Sequence, residues 1–456
     1  MARVFIFAMN YAPEMAGVGR YSGEIGDYFC QLGHEVRVVT TIPHYPGWKV
    51  LPPYRNFRYN YEKRGKLKIT RCPLILRERM GGIWRFIAPL SFALTSAPVT
   101  FWQVLRHRPD TVLCIEPTLM GAPFAIIAAR LVGAKTVLHV QDLEVDASFA
   151  VGHLAQRRWL KTIAHAFEKM LLRSFDRLIT ISGRMAERLA DKGVDAARIA
   201  IVRNWVDLEH IKPLEGPSTY RSELGLADQD FVVLYSGNIG AKQGFDNLLE
   251  AAAQLTAHAD IVFVIAGEGP AKRDLLALSA TLGNVRFLPF QPYARLSEFL
   301  GLADLHVLPQ AADAADLVLP SKLGGMLASG RRVLVTAAAG TELASFVEGA
   351  AIIVPPGDST ALAKAILEAV AGKNNGECDP EPQRRLAEQL SKVDGLRQFA
   401  AAALDETPFA PTPAVVSDHV RGARTNVTQY GPSRFRKQII SSPGNRSNDP
   451  WVERGD

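Results

Sequence analysis

VFIFAMNYAPEMAGVGRYSGEIGDYFCQLGHEVRVVT, residues 4–40, is the stretch on which the fold turns. Val4 to Met9 is nearly all apolar, as a strand buried on both faces must be. The loop APEMAGVG follows, and then Tyr21, Ile25, Phe29 and Leu32 recur at helical spacing. Gly33 stands where that helix ends, and Glu35 to Thr40 reads as a second strand. Strand, loop, helix and strand within about forty residues is the length of a βαβ unit.

Working outward, further parallel-type strands are expected at Thr111–Ile115, Thr136–Val140, Arg177–Ile181 and Ile201–Val202. The pattern then restarts. Phe231–Ser236 reads as a strand, GNIGAKQG as a loop and Phe245–Leu255 as a helix. Ile261–Ala266 is a strand before GEGP and a helix from Ala271, with short strands to follow at Val285–Leu288, Leu305–Leu308, Val333–Thr336 and Ala351–Val354. The predicted class is α/β, with two Rossmann-like, doubly wound parallel-sheet domains over residues 1–205 and 206–405. Ligands of such sheets sit outside the carboxyl ends of the strands, so two facing sheets place a substrate in the cleft between them. Residues 406–456 have no helical or strand period and are rich in Pro, Ser, Asn and Arg. They read as a basic, disordered tail.

A chain of 456 residues is long enough for two such domains. The cysteines, Cys30, Cys72, Cys114 and Cys378, are far apart and lack CxxC or Cys/His spacing. Neither a disulfide framework nor a metal site is expected, and a reducing cytoplasm is the natural compartment. The opening MARVFIFAMNYAPE lacks a long apolar region with a small-residue cleavage site, so it reads as a strand and not as a signal peptide. The net charge of +6 is concentrated: Lys63, Arg64, Lys66, Lys68, Arg71, Arg77, Arg79 and Arg85 face only Glu62 and Glu78. The apolar run FIAPLSFALTSAPVTFWQVL, residues 86–105, follows directly. It admits three readings: a membrane span, a buried helix pair, or part of a basic and aromatic surface for anionic lipid headgroups. Pro89, Pro98 and several hydroxyls speak against the span, and the lipid surface suits an acceptor carried on a membrane lipid.

Gly17 and Gly19 open the first helix and let backbone amides approach an anion, although a tight turn without ligand explains them equally well. The dinucleotide fingerprint is incomplete, with Ser22 where its third glycine should stand and Gly23 one place late. Strand two ends in VVTTIPHYP with no acid for a ribose, so NAD is disfavoured. The second half is denser. Gly237 and Gly240 flank a turn at a strand end, and Lys242 beyond them can stand against a diphosphate as a point charge or simply be solvated. In LPSKLGGMLASG, residues 319–330, Pro320 and Ser321 suit a helix start and Lys322 adds charge at the same end. Two cationic loops above one sheet describe a clamp for a diphosphate that departs without a metal ion. In the first half, Glu116 follows one strand, and His139, Gln141 and Asp142 end another. His139 reads as a core histidine, whereas Asp142, past the strand, is placed to accept a proton from a sugar hydroxyl. Asp313 and Asp316 either serve the donor sugar or are exposed.

These segments together resemble the GT-B fold glycosyltransferases of family 4 from about residue 3 to 400, through NYAPEMAGVGRY, RNWVDLE, YSGNIGAKQGFDNLLEA, IAGEGP and LPSKLGGMLASGRRVLVT. The combination of NWVD, GNIG and LPSKL looks closest to the subgroup of colanic acid and related exopolysaccharide assembly. The resemblance implies retaining, metal-independent hexosyl transfer, with GDP-fucose as the subgroup's suggestion. The nucleotide-sugar would be a substrate, with no cofactor, and the acceptor a glycan on a polyprenyl diphosphate at the inner face of the plasma membrane. It assigns Gly17 and Gly19 to the donor phosphates and acceptor side, Lys242, Ser321 and Lys322 to the diphosphate, and Asp142 to the acceptor. Gly237, Asn238, Gly240, Gly267, Glu268 and Asp316 would line the donor site. Three departures mark specialisation. The two glutamates that many relatives carry fall on Leu317 and Gly325, their arginine falls on Asn238, and their lysine falls on Gln243 unless Lys242 replaces it. A sugar-nucleotide epimerase of the same architecture and a non-catalytic assembly subunit are the alternatives. A nucleic-acid binder is disfavoured, because the basic stretch has no recognition motif.

Overall fold

The computed structural model describes residues 1–14, 17–45, 47–77, 84–143, 158–240, 243–311, 319–375 and 379–405. All of them belong to one compact unit, Met1–Thr412, and the expected tail lies outside the described residues. The first sheet contains β1 (Arg3–Ala8), β2 (Glu35–Thr41), β3 (Asn60–Arg64), β4 (Leu67–Cys72), β5 (Thr111–Ile115), β6 (Lys135–Val140), β7 (Arg177–Thr180) and β8 (Ile199–Ile201). Its order is β3-β4-β2-β1-β5-β6-β7-β8, parallel except for the antiparallel edge strand β3. The second contains β9 (Phe231–Ser236), β10 (Ile261–Ala266), β11 (Val285–Leu288), β12 (Leu305–Leu308), β13 (Arg332–Thr336) and β14 (Ile352–Val354), in the order β11-β10-β9-β12-β13-β14, all parallel. Both are doubly wound sheets with the chain order reversing beside their first strand.

Strand β1 shows why both faces are covered. Phe5 and Phe7 join the core beneath the helices Trp84–His107, Ala122–Val132 and Arg158–Ser174. Val4 and Ile6, pointing the opposite way, join the core under the Val18–Gln31 helix. Gly33, at φ +88, ends that helix as its sequence predicts.

Three elements differ from expectation. The basic stretch 60–72 is a β-hairpin: Leu67 and Ile69 alternate inward while Lys63, Arg64 and Lys66 stay out. Residues 84–107 form one helix, not a pair, with Pro89 and Pro98 inside it. Each proline costs a backbone hydrogen bond, about 3 kcal/mol. Burial of Ala88, Phe92, Ala93 and Val104 offsets that, at roughly 1.5–3 kcal/mol for a large apolar side chain. Among the described residues no helix is long and apolar enough to cross a membrane. Finally, the helix Lys392–Leu404, expected with the second half, packs on the first sheet through Leu396, Phe399 and Ala403. The chain therefore passes between the halves twice, and the crossings 205–207 and 390–392 pair through Val206 N–H to Leu390 O (2.8 Å) and Lys392 N–H to Val206 O (2.9 Å).

Candidate active site

The carboxyl ends of the two sheets face each other. Tyr21, on the helix after β1, lies close to Ser321, which follows β12, while its hydroxyl donates to Trp205 O (3.5 Å). Glu342, following β13, accepts hydrogen bonds from Gly183 N–H (3.2 Å) and Arg184 N–H (3.0 Å), which follow β7. Between these contacts lies the cleft anticipated from the strand pattern.

On the second sheet, the loops after β9 and β10 are laced together. Ile239 N–H donates to Glu268 O (2.9 Å), and Gly237 N–H to Ala266 O (2.9 Å). Gly237 and Gly267 both have φ +149, open only to glycine at low cost. A Cβ on Gly267 would collide with the carbonyl oxygen of Gly237. These glycines, read from sequence as ligand-facing, are required first by loop-on-loop packing. Gly240, expected to line the donor site, donates its N–H to Gln243 Oε1 (2.9 Å). Gln243, where the family resemblance would place a lysine unless Lys242 replaces it, thus fastens the turn. Asn238 is exposed, and its carbonyl accepts from the Tyr235 hydroxyl (2.6 Å). Glu268 is exposed and pairs with Lys272 at 2.6 Å, so its carboxylate already has a cation.

Lys322 lies across this floor. Its aliphatic stem fills the space that a Gly237 side chain would need, and its Nζ is hydrogen-bonded to the Tyr235 hydroxyl. Burial pushes its pKa down to about 7. Among the described residues no carboxylate pairs with it. Ser321 departs from expectation: its side chain does not cap the Lys322–Ala328 helix. At Gly325, where the family resemblance would place a glutamate, a Cβ would sit 3.2 Å from Leu300 and 3.7 Å from Ile211, so apolar side chains occupy that direction. Lys242, Asp313, Asp316 and Leu317 lie outside the described residues.

The first sheet supplies the opposite wall. Gly17 begins the helix at φ +59 and ψ −142, a conformation reserved for glycine. Gly19 is held by Glu14: a Cβ there would lie 2.7 Å from the Glu14 Cβ. Glu14 went unnoticed in the sequence. Its buried carboxylate accepts from His44 N–H (2.8 Å) and Tyr45 N–H (2.9 Å) through one oxygen and from Asn10 Nδ2 (2.8 Å) through the other. It staples the loop after β1 to the loop after β2; an acid following Pro13 after a buried strand was the only signal. His139 is a core histidine as expected, against Phe399 with ring centroids at 4.8 Å, and burial holds its pKa down at about 3. Gln141 pairs its amide with that of Asn204, 3.1 and 3.0 Å, which joins β6 to the NWVD segment. Glu116 is buried at the end of β5. Asp142 is exposed, and its carboxylate caps Leu143 N–H at 2.9 Å. The structure brings Lys322, Gly237, Asn238, Gly240, Gly267 and Glu268 together at one edge, with Asp142 on the other sheet.

Residues 16–205 match the family of the glycosyl transferase 4-like domain, and residues 218–391 match that of glycosyl transferases group 1. The chain is 36% identical over 410 residues to the putative colanic acid biosynthesis glycosyl transferase WcaI of Escherichia coli, covering 87% of this chain and 98% of that one. Among solved structures, sucrose-phosphate synthase from Thermosynechococcus elongatus superposes with a TM-score of 0.70 at 16% identity, over 89% of this chain and 99% of that one. Anabaena HepE, in complex with UDP-glucose, has a TM-score of 0.64 at 15% identity over 89% of this chain and 100% of that one. In sequence and in fold, the chain belongs to the GT-B glycosyltransferases that join a glycosyl transferase 4-like domain to a glycosyl transferases group 1 domain.

Proposed function

We propose that this glycosyltransferase moves a hexosyl group from a nucleoside-diphosphate sugar to a hydroxyl of a lipid-linked glycan, with retention and without a metal ion, during exopolysaccharide assembly. The relative named for colanic acid biosynthesis supports the pathway class, and the UDP-glucose complex of HepE supports the donor class. The observation that carries the chemistry is Lys322, a half-buried lysine without a carboxylate partner among the described residues, laid over Gly237 at the carboxyl end of β9. A diphosphate over that edge takes the place of the missing counter-charge.

In the proposed reaction the bond from the sugar's anomeric carbon to the β-phosphate oxygen breaks, and charge grows on that phosphate. Lys322, joined by Lys242, stabilises the departing diphosphate more than the ground state. The acceptor hydroxyl forms the new bond on the same face and passes its proton to a leaving phosphate oxygen, so no protein nucleophile is needed. Asp142 orients the acceptor from the opposite wall, and Asn238, Glu268 and Asp316 approach the donor. Fucose from GDP-fucose is the donor to test first, and the reaction belongs at the cytoplasmic face.

The test is a panel of nucleotide-sugars scored by thermal shift and then by product analysis with a prenyl-linked acceptor. Transfer with retained anomeric configuration in the presence of EDTA is the expected result. Interconversion of free nucleotide-sugar without an acceptor would replace this reading with an epimerase, and absence of any nucleotide binding would replace it with an assembly subunit. Lys322→Ala and Lys242→Ala are each expected to lower kcat about a hundredfold, the scale for losing one group that stabilises developing charge. Near-wild-type turnover in both would overturn the clamp.

A further inference from the structure

The helices Trp84–His107, Ala122–Val132 and Arg158–Ser174 lie side by side on one face of the first sheet. Their inner sides build the core, yet their outer sides are not polar. On the first, Leu90, Leu94, Trp102 and Leu105 recur at helical spacing and are exposed, Trp102 by 64% and Leu94 by 62%. On the second, Ile127 and Leu131 are exposed one turn apart. On the third, Trp159, Ile163 and Met170 continue the pattern. Exposed apolar residues scattered singly are ordinary, but stripes on three adjacent helices are not.

The charges between these stripes have one sign. Arg106, Arg130, Lys161, Lys169 and Arg173 are exposed, and the three helices hold a single acid, Glu168. Glu168 is buried and paired with Lys192, so it does not compensate the surface. At the cleft end, the Arg77 guanidinium sits over the Trp84 ring, 4.8 Å from its centroid. A second copy of this face would bring like charges together, whereas an anionic partner complements it.

We propose that the outer face of these three helices is a docking surface for an anionic lipid bilayer, on which the protein lies without spanning it. Tryptophan and leucine between lysine and arginine is the composition of an interfacial surface. The topology gives the face a use. Each helix follows a strand and runs back along it, so Trp84 and Ala122 mark the cleft end of the surface. A lipid-borne acceptor then reaches the cleft while its chain stays in the membrane. This inference deepens the proposed reaction by naming the surface from which its acceptor comes, and it rests on that reading only for that purpose.

The experiment is flotation of the full chain with vesicles of phosphatidylcholine alone and of phosphatidylcholine mixed with phosphatidylglycerol, without substrate. Binding is expected only to the mixed vesicles and to weaken with salt. Leu94→Glu/Trp102→Glu is expected to lose binding, and Arg130→Gln/Lys161→Gln/Lys169→Gln to weaken it about a hundredfold, at ~1 kcal/mol for each cation near an anionic surface. Both variants should keep the wild-type melting temperature and nucleoside-diphosphate thermal shift, since the donor edge belongs to the other sheet. Equal flotation with both vesicle types, wild-type flotation of either variant, or a dimer broken by Leu94→Glu/Trp102→Glu without vesicle binding would each overturn the proposal. Loss of nucleotide binding with flotation intact would count against the donor reading alone.

Discussion

At Lys322 stability and function pull in opposite directions. Its pKa is depressed to about 7, below its ordinary value of 10.5, because the half-buried ammonium is partly stripped of water. Between those two values the unfolded chain binds more protons, so this lysine destabilises the fold at pH 7 and below, and the cost fades as pH rises toward 10.5. Lys322→Met is therefore expected to melt no lower than wild type at pH 6 while losing nucleoside-diphosphate binding, read by calorimetry and titration. A bound diphosphate raises the lysine pKa again. Wild-type affinity should fall up to tenfold per pH unit above about 7, and Lys322→Arg should flatten the profile, because arginine stays charged. A neighbouring backbone position carries a different constraint. Gly267→Ala places a Cβ against the Gly237 carbonyl at φ +149 and should cost roughly 1–3 kcal/mol, visible in urea unfolding.

Elements succeed or fail here by what covers them. The Trp84–His107 helix tolerates two prolines because one side of it is core. The Lys392–Leu404 helix is held by Phe399, which is 1% exposed and stacks edge-on to His139 and, at 6.3 Å between centroids, to Trp205. Phe399→Ala is expected to destabilise by about 3–5 kcal/mol. The unfolding transition of the first sheet should move with it, as followed by hydrogen exchange in β6 and β7. A change confined to the second sheet would contradict the packing.

Two clusters join the halves of the whole molecule. Beside the paired crossings, Trp205 Nε1 donates to Glu24 at 2.6 Å, and Lys392 reaches Glu24 at 3.2 Å and Asp207 at 2.9 Å. Across the cleft, Glu342 receives two backbone N–H groups from the start of the Gly183–Asp191 helix and lies 3.4 Å from Arg203. The first cluster sits at the double crossing, where a hinge must be; the second holds the halves together away from it. Glu342→Ala is expected to widen the molecule by small-angle scattering and to raise the donor KM several-fold. Its melting temperature should move little, since the contact lies between cores and not within one.

Periodicity made most of the architecture legible. Phe231–Ser236, Ile261–Ala266 and Leu305–Leu308 fall on the strands predicted, because strands buried on both faces leave largely apolar runs; the half-buried edge strand Val285–Leu288 was placed as well. Lys322 was legible as a charge at a strand end. The hairpin at 60–72 was not, because its lysines and arginines drew the reading to charge while Leu67 and Ile69 alternated inward. Nor could sequence show that Ser321 leaves its helix uncapped, that Gln243 consumes the Gly240 amide, that Glu14 staples two loops, or that the last helix returns to the first sheet. Local spacing determined the strands, the two sheets and the presence of cations at their ends. Partners distant in the chain decided which polar groups are already spent, and only the tertiary structure brings those together.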